Sequence, residues 1–255
     1  MACMFCGAQE RMTKEHILPN WMNEEFPDLA HEPMLQGSHN EYDGPTPDAP
    51  KVVYEGGKEI DGPFRRRAPV VCGACNSGWM SRLETSTREP LSRMIRGLPT
   101  VLTPERQAII ALWSAKTLMV AYRGPHFGPR PRPEVILPVD SEKLYQDRAL
   151  GQEMVMGLAN YQPTSNARER LYAQSFTRME HEGGAYSYSA TLKIGHFAAQ
   201  LVRLPDGMQP PQGQIAPHLV MLQPRASTVH WPPPRPVHAG KEWKAFVTLP
   251  DQNGI

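Results

Sequence analysis

Two pairs of cysteines lie near the start of the chain, and two residues separate the members of each pair. Cys3 and Cys6 belong to the segment CMFC, and Cys72 and Cys75 belong to the segment CGAC. Four thiolates with this spacing can surround one Zn²⁺ ion tetrahedrally, which is typical of a closed structural site. The alternative is a redox dithiol, which needs only one pair, at a helix start in a thioredoxin-like unit. The spacing predicts structural zinc, and any catalysis must then occur beside it.

A glutamate, a histidine and an asparagine accompany the cysteines. Glu15 and His16 stand in the segment KEHILP, and Asn76 directly follows Cys75. A carboxylate is a hard oxygen ligand suited to Mg²⁺ or Mn²⁺, and a neutral histidine can take a proton from water. Together with an amide oxygen, these groups would be enough for metal-assisted hydrolysis of a phosphodiester. The alternative for Asn76 or the neighbouring Ser77 is a role as helix cap.

The order of these motifs resembles the zinc-stapled HNH endonucleases, also called ββα-metal or His-Me finger nucleases. The resemblance implies that His16 is the general base and that Glu15 and Asn76 bind a catalytic Mg²⁺ or Mn²⁺ ion. It also implies that the cysteines bind structural Zn²⁺. The residues that carry the resemblance are Cys3, Cys6, Glu15, His16, Pro19, Cys72, Cys75 and Asn76.

The chain departs from the pattern of that family at several positions. Glu15 stands where these enzymes more often have aspartate, and Met80 stands where many relatives have histidine or lysine. The segment between His16 and Cys72 is also long for a ββα unit. These differences keep a second interpretation open, in which the module is a non-catalytic zinc finger that binds or scaffolds nucleic acid or a protein partner.

A basic segment surrounds the second cysteine pair, although the net charge of the chain is only +1. Residues 10–61 have an excess of acidic side chains, whereas residues 62–97 contain seven arginines and two glutamates. A basic face of this kind can bind phosphates, or it can simply be solvated or pair with the acidic segment. The arginines predicted to contact nucleic acid are Arg65, Arg66, Arg67 and Arg82.

The distribution of cysteines and of apolar residues predicts an α+β fold with two domains. Residues 1–97 should form the zinc-bound ββα-like, treble-clef-like module, with a strand at APVVC and a hairpin at KVVYEGGKEI. The helix that follows Cys75 should break or restart at Pro90. Residues 98–255 should form an α+β domain of unknown role, which begins with a buried central helix capped by Thr103. The later segments are predicted to form antiparallel strands. Tyr186 and Tyr188 alternate with small polar residues, which indicates a half-buried sheet.

No apolar run is long enough to span a membrane, and no secretion signal is evident, so we expect a cytoplasmic protein. The predicted function is a metal-dependent endonuclease, with DNA a better candidate substrate than RNA. The C-terminal domain would supply target choice, dimerisation or contacts with a protein partner.

Overall fold

The fold is mixed α+β, as the sequence predicts. The computed structural model describes residues 1–30, 34–36, 58–60, 62–124, 135–162, 172–180, 186–208, 219–223, 227–238, 242–243 and 246. One hydrophobic core contains residues from both sides of the predicted domain boundary, among them Phe5, Met80, Trp113 and Tyr188. The two predicted segments therefore pack around a shared core.

The N-terminal module is built on an antiparallel strand pair. Strand β1 (Met12–His16) leads to two short helices, α1 (Trp21–Glu25) and α2 (Pro27–Ala30). Next come β2 (Met34–Gln36) and β3 (Lys58–Ile60), which pair with each other, and a 3₁₀ turn at 63–65. Residues 51–57 of the predicted hairpin lie outside the described residues.

The partner of β1 is β4 (Arg67–Cys72), which contains the predicted strand APVVC. The pairing joins Met12 to Cys72 at one end and His16 to Arg67 at the other, with a register shift in between. Pro69 lies in this irregular part of β4, where a residue without an N–H donor is tolerated. The ladder thus places the cysteines at one end and the Glu-His pair at the other.

The helix predicted behind Cys75 begins earlier than expected. Cys72 is its N-cap, and the Cys72 sulfur accepts a hydrogen bond from the Cys75 N–H at 3.4 Å. Asn76 and Ser77 therefore lie inside the helical run, and the prediction that one of them caps it is wrong. The run consists of α3 (Gly73–Cys75), a π-helical turn (Asn76–Met80) that is kinked at the non-helical Gly78, and α4 (Ser81–Ile95).

Pro90 lies inside α4 and does not break it, contrary to the prediction. Pro90 and Leu91 are both buried, and this packing offsets the loss of one backbone N–H. The helix ends where Gly97 adopts a left-handed φ of 71° and the Leu98 N–H bonds to the Arg93 carbonyl at 2.9 Å. This end is a Schellman motif, for which glycine is the favoured residue.

The central helix α5 (Pro104–Arg123) is buried along most of its length, which confirms the prediction. The Thr103 hydroxyl caps its start by accepting a bond from the Arg106 N–H at 3.4 Å. The strand before it, β5 (Thr100–Leu102), pairs with β11 (Val229–Trp231). In the part of the chain that the structure describes, no helix combines the length and the apolar character needed to cross a membrane.

The C-terminal half contains helix α6 (Pro138–Asp147) and a six-stranded sheet. Its strands are β6 (Met154–Gln162), β7 (Tyr172–Glu180), β8 (Tyr186–Ile194), β9 (Phe197–Arg203), β10 (Val220–Gln223) and β12 (Val237–His238). Their order is β10-β6-β9-β8-β7, and β12 pairs with β6 in parallel while all other neighbours are antiparallel. Strand β8 is buried on both faces, so the half-buried sheet expected from its alternating pattern is wrong.

Candidate functional site

The four cysteines meet at one end of the β1–β4 ladder. Their sulfur atoms all lie within 4.8 Å of one another, and the Cys6 and Cys72 sulfurs are 3.6 Å apart. Zn–S bonds of about 2.3 Å in a tetrahedron would place the sulfurs about 3.8 Å apart. No disulfide joins these cysteines. The cluster can therefore hold a metal ion such as zinc, as the Cys-x-x-Cys spacing predicts.

Backbone N–H groups favour the thiolate form of Cys3. Gly7 adopts a left-handed φ of 72°, which folds the first pair into a tight turn closed by a bond from the Gly7 N–H to the Cys3 carbonyl. The Cys72 N–H donates to the Cys3 sulfur at 3.4 Å. Burial raises the pKa of Cys3, but backbone N–H groups, including that of Cys6, outweigh it and bring the pKa to about 7. Burial raises the pKa of Cys72 to about 11 and also raises that of Cys75.

Glu15 lies near the other end of the ladder and is almost removed from water. Only 5% of the residue is exposed, and no described residue forms a hydrogen bond or an ion pair with its carboxyl group. Burial raises its pKa to about 7, although the nearby ammonium of Lys116 acts in the opposite direction and the carboxylate of Glu84 reinforces the rise. A buried carboxyl group without a hydrogen-bond partner is costly, and such groups are typical of ligand sites.

His16 is the last residue of β1 and is partly exposed. Its Nε2 accepts a hydrogen bond from Nε of Arg67 at 3.0 Å, so the neutral ring has its proton on Nδ1. Burial, followed by the Arg67 guanidinium, lowers the pKa of His16 below its usual value. The histidine is therefore neutral at physiological pH and has the protonation state of a general base.

Two further residues of this site, Glu84 and Lys116, were not predicted from the sequence. Lys116 of α5 donates to Oε1 of Glu84 in α4 at 2.8 Å, and its side chain is 0% exposed. The charge of Glu84 influences both Glu15 and His16. A lysine inside the most apolar segment of the chain was the available signal, because a buried ammonium requires a carboxylate partner.

Asn76 lies nearer to the cysteine end of the ladder than to His16. Its side-chain amide donates to the Thr13 hydroxyl at 3.0 Å, and that hydroxyl donates to the Val71 carbonyl. Thr13 and Glu15 share a face of β1, and residues two apart in a strand are about 7 Å apart. Asn76 therefore contacts the face of β1 that carries Glu15, at a position two residues before Glu15.

The predicted nucleic-acid contacts differ in their accessibility. Arg65, Arg67 and Arg82 are exposed, whereas only 8% of Arg66 is exposed. The exposed members are available to bind phosphates, and Arg67 is also bonded to His16. One of the predicted phosphate-binding arginines, Arg67, therefore contacts the candidate general base.

Comparisons of this chain with protein-family models, with curated proteins and with solved structures gave no match.

Proposed function

We propose that this protein is a metal-dependent endonuclease that hydrolyses nucleic-acid phosphodiester bonds, with DNA as the first substrate to test. The supporting observation is the Glu15 carboxyl group, which is buried without a hydrogen-bond partner among the described residues and precedes a neutral His16. The same strand pairs with β4, which leads directly into the cysteine cluster. This arrangement supports the resemblance to the zinc-stapled HNH endonucleases.

The residues fit a hard divalent ion. Glu15 offers carboxylate oxygens, and Asn76 offers an amide oxygen on the same face of β1. Oxygen ligands of this kind are those that Mg²⁺ and Mn²⁺ prefer. Such an ion, when bound, would stabilise the negative charge that develops on the phosphate and on the leaving oxygen. The cysteines would bind Zn²⁺ and hold the turn at residues 3–6, the end of β4 and α3 together.

His16 would act as the general base. Its Nε2 lone pair accepts the hydrogen bond from Arg67 in the substrate-free protein. A phosphate that binds the exposed Arg67 guanidinium would compete for that hydrogen bond and leave Nε2 able to accept a proton from water. Substrate binding would in this way prepare the base, while Arg65 and Arg82 would bind neighbouring phosphates.

The test is cleavage of a supercoiled plasmid by the zinc-loaded protein in Mg²⁺ or Mn²⁺. His16→Ala should lower the cleavage rate by at least about a hundredfold, because general-base catalysis contributes that much or more. The matched control is His230→Ala, which removes an exposed histidine from β11 and should cleave like the wild type. Zinc content and melting temperature should be unchanged in both variants.

Equal rates in the wild type and in His16→Ala would contradict this role of His16. If none of the proteins cleaves DNA, the same comparison on RNA follows. A protein that binds nucleic acid but cleaves neither substrate would be the non-catalytic zinc-finger module. One observation favours that alternative, namely the Lys116 ammonium that already places a positive charge beside the carboxylates.

A further inference from the structure

We propose that Cys6 is a site of oxidation by hydroperoxides, and that Cys72 completes the reaction by forming a disulfide with it. Cys6 is the most accessible member of the cysteine cluster, and an open cleft leads to it. The Cys72 sulfur lies 3.6 Å from the Cys6 sulfur. Oxidation at this pair does not require the nuclease activity proposed above.

Cys6 differs from the other three cysteines in its exposure to solvent. Cys6 is partly exposed, whereas Cys3, Cys72 and Cys75 are 3%, 0% and 2% exposed. The rate at which a thiolate reacts with an oxidant depends on access as well as on its own nucleophilicity. Cys3 is the competing target, because backbone N–H groups favour its thiolate form. Since Cys3 is buried, Cys6 is the thiolate that a dissolved oxidant meets first.

An open cleft lies between the turn that carries Cys6 and helix α6. Its volume is about 270 Å³, which is enough for a small hydroperoxide together with several water molecules. The residues that line the cleft are Phe5, Cys6, Gly7, Glu142, Tyr145 and Gln146. Glu142 and Gln146 are exposed and offer polar groups to a solute in the cleft. The cleft therefore gives a polar oxidant a route to the Cys6 sulfur.

Cys72 is placed to react with an oxidised Cys6. The two sulfur atoms are 3.6 Å apart, and no disulfide joins them. A disulfide bond is about 2.05 Å long, so the sulfurs would have to approach each other by about 1.5 Å. The Cys72 sulfur is buried, and it therefore meets the oxidised Cys6 rather than the dissolved oxidant.

The reaction has two steps. The Cys6 thiolate attacks the O–O bond of hydrogen peroxide, which forms a sulfenic acid and releases hydroxide. The Cys72 thiolate then attacks the sulfenic sulfur, so that the S–S bond forms, the S–O bond breaks and a second hydroxide leaves. Protons from the solvent convert both hydroxides to water. The two sulfurs together lose two electrons, and the peroxide gains them.

The disulfide would remove two ligands from the cluster. The thiolate is the metal ligand, so only Cys3 and Cys75 would remain for zinc, which takes four ligands in a structural site. The new bond would join residues 66 positions apart, one in the N-terminal turn and one at the end of β4. Such a bond constrains the unfolded chain. Oxidation would thus exchange a metal crosslink for a covalent one between the same two segments.

The experiment treats the zinc-loaded, full-length protein with hydrogen peroxide and follows zinc release with a chromogenic chelator. In a parallel reaction, dimedone traps the sulfenic acid, and mass spectrometry of non-reduced peptides locates the adduct and the disulfide. The first adduct is expected on Cys6, in at least about tenfold excess over the other cysteines, because access limits their reaction. Without dimedone, free zinc and the peptide that links Cys6 to Cys72 should increase at the same rate.

Two substitutions in α6 test the route to Cys6. Gln146→Trp adds a bulky side chain to the wall of the cleft and should slow the oxidation of Cys6 by at least about threefold. Asp147→Trp is the matched control, because Asp147 is exposed at the next position of the same helix and does not line the cleft. This control should react like the wild type. Equal rates in the two variants would overturn the cleft as the route of the oxidant.

The remaining outcomes decide the proposal as a whole. A first adduct on Cys3, or a disulfide between any partners other than Cys6 and Cys72, overturns it. A peroxide-treated protein that keeps its zinc and all four thiols also overturns it. A protein that binds no zinc but forms the Cys6–Cys72 disulfide supports the oxidation site and contradicts only the zinc. None of these measurements involves nucleic acid, so they are independent of the nuclease test.

Discussion

Glu15 and Asp140 are both carboxyl groups that the fold removes from water, and a buried cation lies near each of them. Asp140 of α6 is bonded through both oxygens: the Tyr188 hydroxyl donates to Oδ2 at 2.9 Å and Arg203 Nε donates to Oδ1 at 3.3 Å. Glu15 receives no such bond from any described residue, since Lys116 pairs elsewhere. Burial is therefore similar in the two places, whereas hydrogen bonding is complete in one and absent in the other.

This difference separates a structural carboxylate from a carboxyl group available to a ligand. Burial raises the pKa of Asp140, with Tyr188 and Arg203 acting in the opposite direction. Burial raises the pKa of Glu15 to about 7, and only Lys116 opposes it. Both pKa values are raised, so the difference lies in the hydrogen bonds: removing Asp140 would leave its partners unpaired, whereas the Glu15 carboxylate should cost stability that ligand binding can recover.

The largest effect is expected at Asp140. Asp140→Ala leaves the buried Arg203 with the exposed Asp206 as its one carboxylate partner among the described residues, and it should lower the free energy of unfolding by about 3 kcal/mol. Urea denaturation of the zinc-loaded protein measures this loss. The control Asp147→Ala removes an exposed carboxylate from the same helix and should change stability by less than about 0.5 kcal/mol. An equal loss of stability in Asp140→Ala and Asp147→Ala would show that the bonded Asp140 carboxylate contributes no more to the fold than an exposed one.

The second-largest effect is expected at Glu15, where substitution should increase stability. Glu15→Gln should raise the free energy of unfolding by about 2 to 3 kcal/mol near pH 8, in the absence of Mg²⁺ and Mn²⁺. Glu15 has a pKa of about 7 in the folded protein against 4.5 as its ordinary value. Below the lower value it is protonated in both states and contributes nothing. Between the two values the unfolded chain ionises first, so stability falls as pH rises, and the whole cost is present above pH 7.

The same urea titration should therefore show almost no difference between Glu15→Gln and the wild type near pH 4. Glu24→Gln provides the control, because Glu24 is exposed on α1 and should have no effect at either pH. A Glu15→Gln protein that is less stable than the wild type near pH 8 would show that Glu15 is a bonded, structural carboxylate like Asp140.

The smallest effect is expected at Tyr188. Tyr188→Phe removes one of the two hydrogen-bonding partners of Asp140 and should cost about 1 to 2 kcal/mol in urea denaturation. Its rate of nucleic-acid cleavage and its Mn²⁺ affinity should match those of the wild type. A loss of cleavage or of Mn²⁺ binding in this folded variant would connect Asp140 to the site and contradict its assignment as a purely structural carboxylate.

Local signals in the sequence predicted the parts of the fold that depend on neighbouring residues. The Cys-x-x-Cys spacing predicted a cluster that the structure confirms, and Thr103 with its following proline predicted the start of α5. The zinc, the catalytic ion and the roles of His16 and Asn76 stay predictions. The helix cap and the break at Pro90 were wrong, because tertiary packing and the Cys72 sulfur outweighed local preference.

No local pattern in the sequence predicted contacts between residues that are far apart in the chain. Glu84 and Lys116 are 32 positions apart on different helices, and nothing in their spacing joins them. In the same way, Ser187 and Ser189 suggested an exposed face of β8, whereas both are buried. Small hydroxyl groups can be buried when hydrogen bonds satisfy them, and a sequence pattern does not show those bonds.

The pairing of β2 with β3 has a consequence for protein engineering. Gln36 lies directly opposite Lys58, so the chain leaves and re-enters the described structure at neighbouring points. The entropic cost of closing a loop grows by only about 0.6 kcal/mol for each doubling of its length. A guest domain whose termini are close together could be inserted between these two residues, and the cysteine cluster and Glu15 would keep their positions. A targeting domain can therefore be inserted at this point to direct the proposed nuclease to a chosen site.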